Sequence, residues 1–191
     1  VRVDRVRHPT HRTVTAPTAG RRARAGKADD PAADDQAVVI LSGLSGGGKT
    51  AAAKLFEDLG YTVVDNLPGE LLPELAELVS SDRTRFARVA IVLDVRAGDA
   101  PLALAAMRGA LEGRGIVPRV VFLEARDDVL IRRFSETRHR HPLADGRGIA
   151  SSIATERRML DQVRAEADVV VDTSDLSLRQ LGDAFQERHP L

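Results

Sequence analysis

Short apolar runs alternate with amphipathic stretches from residue 37 to the end of the chain. The runs are short and rich in valine, which is typical of buried strands in a parallel sheet. Each is followed by a stretch whose apolar residues recur three or four positions apart, the spacing of one helix face. Strands that alternate with helices predict a parallel sheet covered on both faces. The predicted strands cover residues 37–41, 61–65, 89–93, 120–123 and 169–171.

Residue types that start or stop helices mark the limits of the helical stretches. Gly60 follows the first of them and is typical of the position just after a helix end. Pro73 limits where the second can start. Ser177 and Gln180 have the spacing of a capping box at the start of the last. The predicted helices cover residues 49–59, 71–79, 104–111, 129–134, 149–163 and 178–185.

Residues 1–36 lack this pattern. They contain eight Arg or Lys against five Asp, and three prolines. Such a segment buries too little apolar surface to offset its ordering entropy, so we expect a disordered basic extension. A basic arm for RNA or membrane and a transit peptide are alternatives, and a solvated leader without a specific role is favoured over them. The folded domain is predicted to cover residues 37–191.

Composition removes several classes of function. The chain of 191 residues has no Cys and no Trp, and its 28 basic residues balance 28 acidic ones. Disulfide scaffolds and thiolate metal sites are therefore excluded, and aromatic platforms for single-stranded nucleic acid are disfavoured. No apolar run approaches the about 18 residues needed to cross a bilayer. We therefore expect a soluble, cytoplasmic protein without a membrane partner.

Residues 43–50, which we call the phosphate loop, fit G-x-x-x-x-G-K-[ST] between an apolar strand and a helix. The glycines let backbone N–H groups face inward around an anion, and the helix N-terminus adds its positive dipole. Lys49 would reach the β- and γ-phosphates of a nucleotide, and the Thr50 hydroxyl would bind Mg²⁺. A chance match is the alternative. The loop consists of Gly43, Leu44, Ser45, Gly46, Gly47, Gly48, Lys49 and Thr50.

Two acidic residues follow predicted strands at the edge where open parallel sheets bind ligands. Asp94 ends the third strand, as in a Walker B element, and would hold Mg²⁺ through a water. Asp65 ends the second strand and would take the same role or accept a proton from an attacking water or hydroxyl. The alternative for each is a carboxylate that caps the next turn. Arg96 is interpreted equally as a ligand contact or as a salt-bridge partner.

Basic residues gather around the end of the fourth predicted helix. Arginines on a mobile lid stabilise charge during phosphoryl transfer in such folds, and a solvated helix face is the alternative. His139 and His141 are two positions apart in a predicted loop, where two surface imidazoles are favoured over a metal-binding pair. The clustered arginines are Arg132, Arg133, Arg138 and Arg140.

These motifs together resemble the RapZ (YvcJ) family of P-loop proteins. The resemblance covers essentially residues 37–188. Its Asp-Asn-Leu-Pro and Arg-x-x-His-Pro-Leu elements are specific, because ordinary kinases lack them. The matching segments are the phosphate loop and residues 55–61, 64–68, 94–96, 121–125, 130–134, 138, 141–143 and 171–174.

The resemblance implies ATP binding at the phosphate loop and slow, Mg²⁺-dependent hydrolysis of ATP and GTP. GTP binding is implied at residues 94–97, which we call the GTP segment, although Ala97 replaces the Asn or Ser that is more usual there. With the strand–helix order, it predicts a kinase-like P-loop NTPase fold of class α/β, with three layers, α/β/α, around a five-stranded parallel sheet. The GTP segment consists of Asp94, Val95, Arg96 and Ala97.

Five residues are predicted to carry the chemistry. Lys49, Asp65, Asp94 and Arg138 are the predicted catalytic residues, and Arg138 is chosen because it begins the Arg-x-x-His-Pro-Leu element. Thr50 and Asp94 are the predicted Mg²⁺ ligands.

The resemblance also implies a regulatory role. Some members are adapters that bind small RNAs and bring them to a ribonuclease. In the family they do so through a second domain, which we expect to be absent here, so RNA binding is not carried over. A small-molecule or nucleotide kinase is the main alternative, and a non-hydrolytic nucleotide sensor or an RNA-binding fragment is a third. The Asp-Asn-Leu-Pro element favours the regulatory nucleotide-binding protein, and the sequence leaves its oligomeric state open.

Overall fold

Parallel strands form the centre of the computed structural model, which describes residues 36–94, 100–137, 141–143 and 148–188. The strands are β1 (Ala37–Gly43), β2 (Thr62–Val64), β3 (Arg88–Val92), β4 (Arg119–Glu124) and β5 (Val169–Asp172). They form one five-stranded sheet in the order β2-β3-β1-β4-β5, and every neighbouring pair is parallel. The predicted five-stranded parallel sheet is confirmed.

Helices follow the strands along the described part of the chain. A short 3₁₀ turn at Gly69–Leu71, which the sequence pattern did not predict, precedes the second helix. The helices are α1 (Lys49–Asp58), α2 (Leu72–Ser81), α3 (Ala100–Glu112), α4 (Asp127–Thr137), α5 (Ile149–Ala165) and α6 (Leu178–Arg188).

The central strand shows how the two apolar cores arise. Successive side chains of a strand point to opposite faces of the sheet. Val38 and Ile40 of β1 therefore lie in a core beneath α2, α3, α4 and α5. Val39 and Leu41 lie in a second core beneath α1 and α6. The predicted three-layer α/β/α arrangement is confirmed.

Two predicted helix boundaries have the expected hydrogen bonds. Gly60 has a φ of 82°, and its N–H donates to the carbonyl of Glu57 at 2.9 Å, which closes the end of α1. At the start of α6, the N–H of Gln180 donates to Ser177 Oγ at 3.3 Å, and the N–H of Ser177 donates to Gln180 Oε1 at 2.9 Å. This reciprocal pair is the predicted capping box.

Membrane-spanning helices are absent from the part of the chain that the structure describes, because none of its helices is both long enough and apolar enough.

Candidate functional site

The phosphate loop leaves the central strand at the carboxyl edge of the sheet and enters α1 directly. Gly43, the last residue of β1, has a φ of 143°, and a Cβ built on it would overlap the backbone of Leu123 in the adjacent strand. Gly48 precedes the first residue of α1 with a φ of 104°. Glycine is therefore required where the chain passes β4 and where it turns into the helix.

Lys49 folds back over the loop that precedes it. Its side chain is buried, and Nζ donates to the carbonyl of Gly43 at 2.7 Å and to that of Leu44 at 3.3 Å. Thr50, the next residue, is exposed. The lysine is thus held beside the loop by two carbonyl oxygens.

A cleft with a volume of about 460 Å³ opens over the loop. Asp94 reaches it because β3 lies next to β1, where the N–H of Leu93 donates to the carbonyl of Leu41 at 2.8 Å. The predicted residues Lys49, Thr50 and Asp94 therefore line one cavity. The other described residues that line the cleft are Leu44, Ser45, Gly46, Gly48, Ala51, Arg133, Phe134, Thr137 and Pro142.

The oxygen donors at this cleft suit a magnesium ion. Thr50, which carries a hydroxyl, and Asp94, which carries a carboxylate, line the same cavity. Mg²⁺ is usually held by one or two protein oxygens, while waters and substrate phosphates fill its other positions. Thr50 and Asp94 therefore fit the ion that the sequence predicts at this place.

Asp65 occupies a different position. It follows β2, the edge strand of the sheet, and it is exposed, with Oδ1 accepting the N–H of Asn66 at 2.7 Å. Asn66 has a φ of 57°, in the left-handed region. Asp65 is not among the described residues that line the cleft. The contact observed for its carboxylate is the turn contact weighed as the alternative to a catalytic role.

Arg133 of α4, which also lines the cleft, donates hydrogen bonds to the phosphate loop and to the end of β5. Its Nη1 donates to the carbonyl of Gly46 at 2.8 Å and to Thr173 Oγ1 at 3.1 Å, and its Nη2 donates to the carbonyl of Thr173 at 2.8 Å. Thr173 Oγ1 in turn donates to the carbonyl of Gly47 at 2.9 Å. Burial lowers the pKa of the Arg133 guanidinium below its ordinary value. The sequence left Arg133 undecided between a lid and a solvated face, and the structure places it as a brace between the loop and the end of β5.

His141 is buried, so its interpretation as a surface imidazole was wrong. Both side chains of the pair it forms with Glu156 are fully buried, and its Nε2 lies 3.1 Å from Glu156 Oε2. The ring of Phe134 packs against it with centroids 5.0 Å apart. Groups of three or more metal-binding side chains are absent from the described residues.

Glu156 is a site residue that sequence reasoning missed. It lies on α5 and accepts hydrogen bonds from both the N–H and the hydroxyl of Ser45 in the phosphate loop. A signal was present, because position 156 falls on the apolar stripe that Ile153, Leu160 and Val163 form along the helix. A glutamate on such a stripe indicates a buried polar partner.

Several predicted residues lie outside the described part of the chain. They are Val95, Arg96 and Ala97 of the GTP segment, and Arg138, His139 and Arg140 after α4. Arg132 is described and exposed.

Solved structures with similar folds include small-molecule kinases. A shikimate kinase from Acinetobacter baumannii, solved with shikimate, gives a TM-score of 0.56 at 17% identity and covers 83% of this chain and 96% of that one. One from Bacteroides thetaiotaomicron gives 0.53 at 20% identity, over 81% and 99%. A gluconokinase from Sinorhizobium meliloti 1021 gives 0.53 at 18% identity, over 78% and 89%. The fold is therefore a kinase-like P-loop fold.

Curated relatives share more of the sequence. A protein of Mycolicibacterium vanbaalenii named nucleotide-binding protein is 47% identical over 149 residues, which cover 78% of this chain and 47% of that protein. One of the same name from Mycobacterium tuberculosis (strain ATCC 25177 / H37Ra) is 45% identical over 149 residues, 78% of this chain and 50% of that protein. The chain thus spans about half the length of these relatives.

A family model described as the RapZ-like N-terminal domain matches residues 36–189, which include the whole sheet, the phosphate loop and the cleft above it. The resemblance inferred from the motifs is confirmed. The chain belongs to the RapZ-like N-terminal domain family of nucleotide-binding proteins.

Proposed function

We propose that this domain binds ATP and GTP in the cytoplasm and hydrolyses both slowly with Mg²⁺, as the nucleotide-sensing part of a regulatory protein. The observation that carries the proposal is the cleft in which Lys49, Thr50 and Asp94 meet above a glycine-rich loop at a helix N-terminus. A cation, a helix dipole and two metal-binding oxygens around one cavity suit a phosphate chain that carries a magnesium ion.

Each cleft residue has a distinct part in this proposal. Lys49, which the carbonyls of Gly43 and Leu44 hold beside the loop, would donate to phosphate oxygens of the nucleotide. Thr50 and Asp94 would hold Mg²⁺, Asp94 through a water, and the bound ion would neutralise charge that develops on the phosphates. Slow turnover is what the family resemblance implies, and Asp94, the carboxylate among the described residues that line the cleft, is assigned to Mg²⁺ in this proposal.

The remaining predicted residues enter as proposals without described contacts. Arg138 would stabilise charge on the γ-phosphate, and residues 94–97 would contact GTP. Asp65 would assist only if its carboxylate leaves the amide of Asn66. The regulatory output, including any RNA target, belongs to the whole protein, of which this chain spans about half in its relatives.

Calorimetric titration tests the binding half of the proposal. Mg²⁺ with the β,γ-imido analogue of ATP, and the same analogue of GTP, should bind the parent chain. Lys49→Ala should weaken both about tenfold to a hundredfold, because a charged contact to phosphate is lost. An unchanged affinity in that variant rejects the phosphate loop as the binding site.

Turnover measurements test the metal half. Asp94→Asn should lower kcat about a hundredfold with little change in nucleotide affinity, because the ion acts mainly on transition-state charge. Excess chelator should abolish hydrolysis, and equal turnover in chelator contradicts the proposal. Fast ADP formation that depends on an added hydroxyl acceptor would identify a kinase instead.

A further inference from the structure

A buried glutamate joins the phosphate loop to two other parts of the domain. The carboxylate of Glu156 is fully buried. Oε1 accepts the hydroxyl of Ser45 at 2.7 Å, both oxygens lie 3.1 Å from the N–H of Ser45, and Oε2 lies 3.1 Å from His141 Nε2. Three donors thus converge on one carboxylate, which is how a protein keeps a charge inside its core.

The tautomer of His141 follows from its second contact. The N–H of Leu143 donates to His141 Nδ1 at 3.1 Å, so Nδ1 carries no proton. The proton therefore lies on Nε2, which donates to Glu156. His141 thereby holds Oε2 of Glu156. Pro142, which lies between His141 and Leu143 in the chain, lines the cleft.

The peptide between Leu44 and Ser45 transmits this anchoring to the lysine. In a trans peptide the N–H and the carbonyl of one unit point in opposite directions. The N–H of this unit points to Glu156, and its carbonyl accepts Lys49 Nζ at 3.3 Å and the N–H of Gly47 at 2.8 Å. If the peptide turned over, Lys49 would lose this carbonyl and meet an N–H donor instead.

We propose that Glu156 is a positioning residue for Lys49, acting through the Leu44–Ser45 peptide, and that His141 completes its anchoring. This inference rests on the proposed function, because it concerns the lysine that would bind phosphate. It predicts that residues 141–143 and the phosphate loop are energetically coupled through Glu156.

Glu156→Gln is the first test, because it keeps the volume of the side chain and removes its charge. An amide has an acceptor oxygen on one arm and an NH₂ donor on the other. If its oxygen accepts Ser45, its NH₂ group faces the Nε2–H donor of His141, so one of the two contacts is lost. Affinity for Mg²⁺ with the β,γ-imido ATP analogue should fall about tenfold. Glu77→Gln, the same change on the exposed face of α2, should leave the affinity unchanged. The Ser45 amide proton should also move upfield in the NMR spectrum when its carboxylate acceptor is lost.

A double-mutant cycle separates positioning from a merely structural role. In a Lys49→Met background, Glu156→Gln should weaken binding of the analogue by less than about twofold, because the lysine through which Glu156 acts is gone. An additive, tenfold further loss would overturn the proposal. A tenfold loss for Lys49→Met beside an unchanged affinity for Glu156→Gln would also overturn it while leaving the proposed function standing. Unchanged binding in Lys49→Met would reject the proposed function itself.

Two histidine variants keep the proposal testable if Glu156→Gln does not fold. His141→Gln retains an N–H near the position of Nε2 and so preserves the donor to Glu156. His141→Asn retains only an acceptor near Nδ1 for Leu143. The Asn variant should bind the analogue more weakly than the Gln variant, and the reverse order would overturn the assignment.

Discussion

Arg133 joins the phosphate loop to Thr173, the residue that follows β5, through three hydrogen bonds. Its planar guanidinium reaches the carbonyls of Gly46 and Thr173 at 2.8 Å each, and the hydroxyl of Thr173 at 3.1 Å. Because these acceptors are two backbone oxygens and one hydroxyl, the arginine serves the loop's shape. Arginine suits this position, since its fork of donors is rigid and is arranged in one plane.

Replacement of Arg133 should therefore reduce stability as well as binding. Arg133→Ala is expected to lower the free energy of unfolding by about 1–3 kcal/mol, because the carbonyls of Gly46 and Thr173 lose a charged donor. Arg133→Lys should recover only part of this, because one ammonium cannot reproduce the fork. Urea unfolding measures both. Arg132→Ala, at an exposed neighbour, is the control and should stay within about 0.5 kcal/mol of the parent.

Tyr61 carries a buried hydroxyl whose stability effect depends on pH. Its oxygen has no hydrogen-bond partner in the described part of the chain, and burial raises the pKa of the phenol above its ordinary value of 10.0. Tyr61→Phe should raise the free energy of unfolding by about 1 kcal/mol at neutral pH, because it removes an unsatisfied polar atom.

The same substitution gives a pH signature with a definite sign. The raised pKa means that the folded protein keeps the phenol protonated after the unfolded chain has released its proton. The part of the parent's unfolding free energy that depends on a protonated phenol is fully present below pH 10.0, and it is lost as the pH rises through the raised pKa. Unfolding measured at alkaline pH should therefore show a steeper decline for the parent than for Tyr61→Phe, and parallel curves would contradict the buried state of the hydroxyl.

At the scale of elements, a crowded glycine at the end of β1 and an uncrowded one in α3 test why the strand-to-helix turn requires glycine. Gly43→Ala should cost about 3 kcal/mol or more, because the added Cβ overlaps the backbone of Leu123 and the φ of 143° disfavours a side chain. Gly109→Ala in α3 meets nothing within 4 Å and should instead stabilise the protein by about 0.5–1 kcal/mol. Chemical denaturation of the two variants should give opposite signs. A tolerated Gly43→Ala would show that β1 and β4 separate more easily than their register implies.

The elements themselves were largely predictable, because each rests on a local pattern. The valine-rich runs became strands, and the apolar spacing became helices within a few residues of the predicted ends. The strand order was not predictable in this way, since pairings such as Ile40 with Ile91 and with Val120 join distant parts of the chain.

The residues of the candidate site also differ in whether a local sequence pattern predicts them. Lys49 and Thr50 follow from a contiguous motif, and Asp94 follows from a strand end. The partnership of Ser45 with Glu156 spans 111 residues and has no contiguous signature. His141 was misjudged because a histidine beside Pro142 in a polar stretch looks exposed until α5 is packed against it. Sequence patterns do not show which distant residues pair in the folded protein. The one indication of this pairing was Glu156, a polar residue on the apolar stripe of α5.

For the whole molecule, the two apolar cores differ in their residues and in their contact with the phosphate loop. The core beneath α1 and α6 contains an aromatic cluster, in which the ring of Phe56 lies 4.9 Å from Tyr61 and 5.1 Å from Phe185. The core on the opposite face includes Leu44 of the phosphate loop together with Leu130 of α4 and Ile153 of α5. Substitutions in the core beneath α2, α3, α4 and α5 therefore reach the cleft through α4 and α5, the helices that carry Arg133 and Glu156.

The start of the folded domain gives a prediction on the same scale. Residues 1–35 contain no periodic apolar positions, so a chain that begins at Gln36 should match the full chain in unfolding free energy to within about 0.5 kcal/mol. Gln36 itself belongs with the domain, because its Nε2 donates to the carbonyls of Val79 at 3.0 Å and Phe86 at 2.9 Å. Gln36→Ala should therefore cost about 1 kcal/mol by leaving these carbonyls without that donor. Urea unfolding of the three chains decides the matter. A loss above about 1 kcal/mol on removal of residues 1–35 alone would mean that the basic extension packs on the domain.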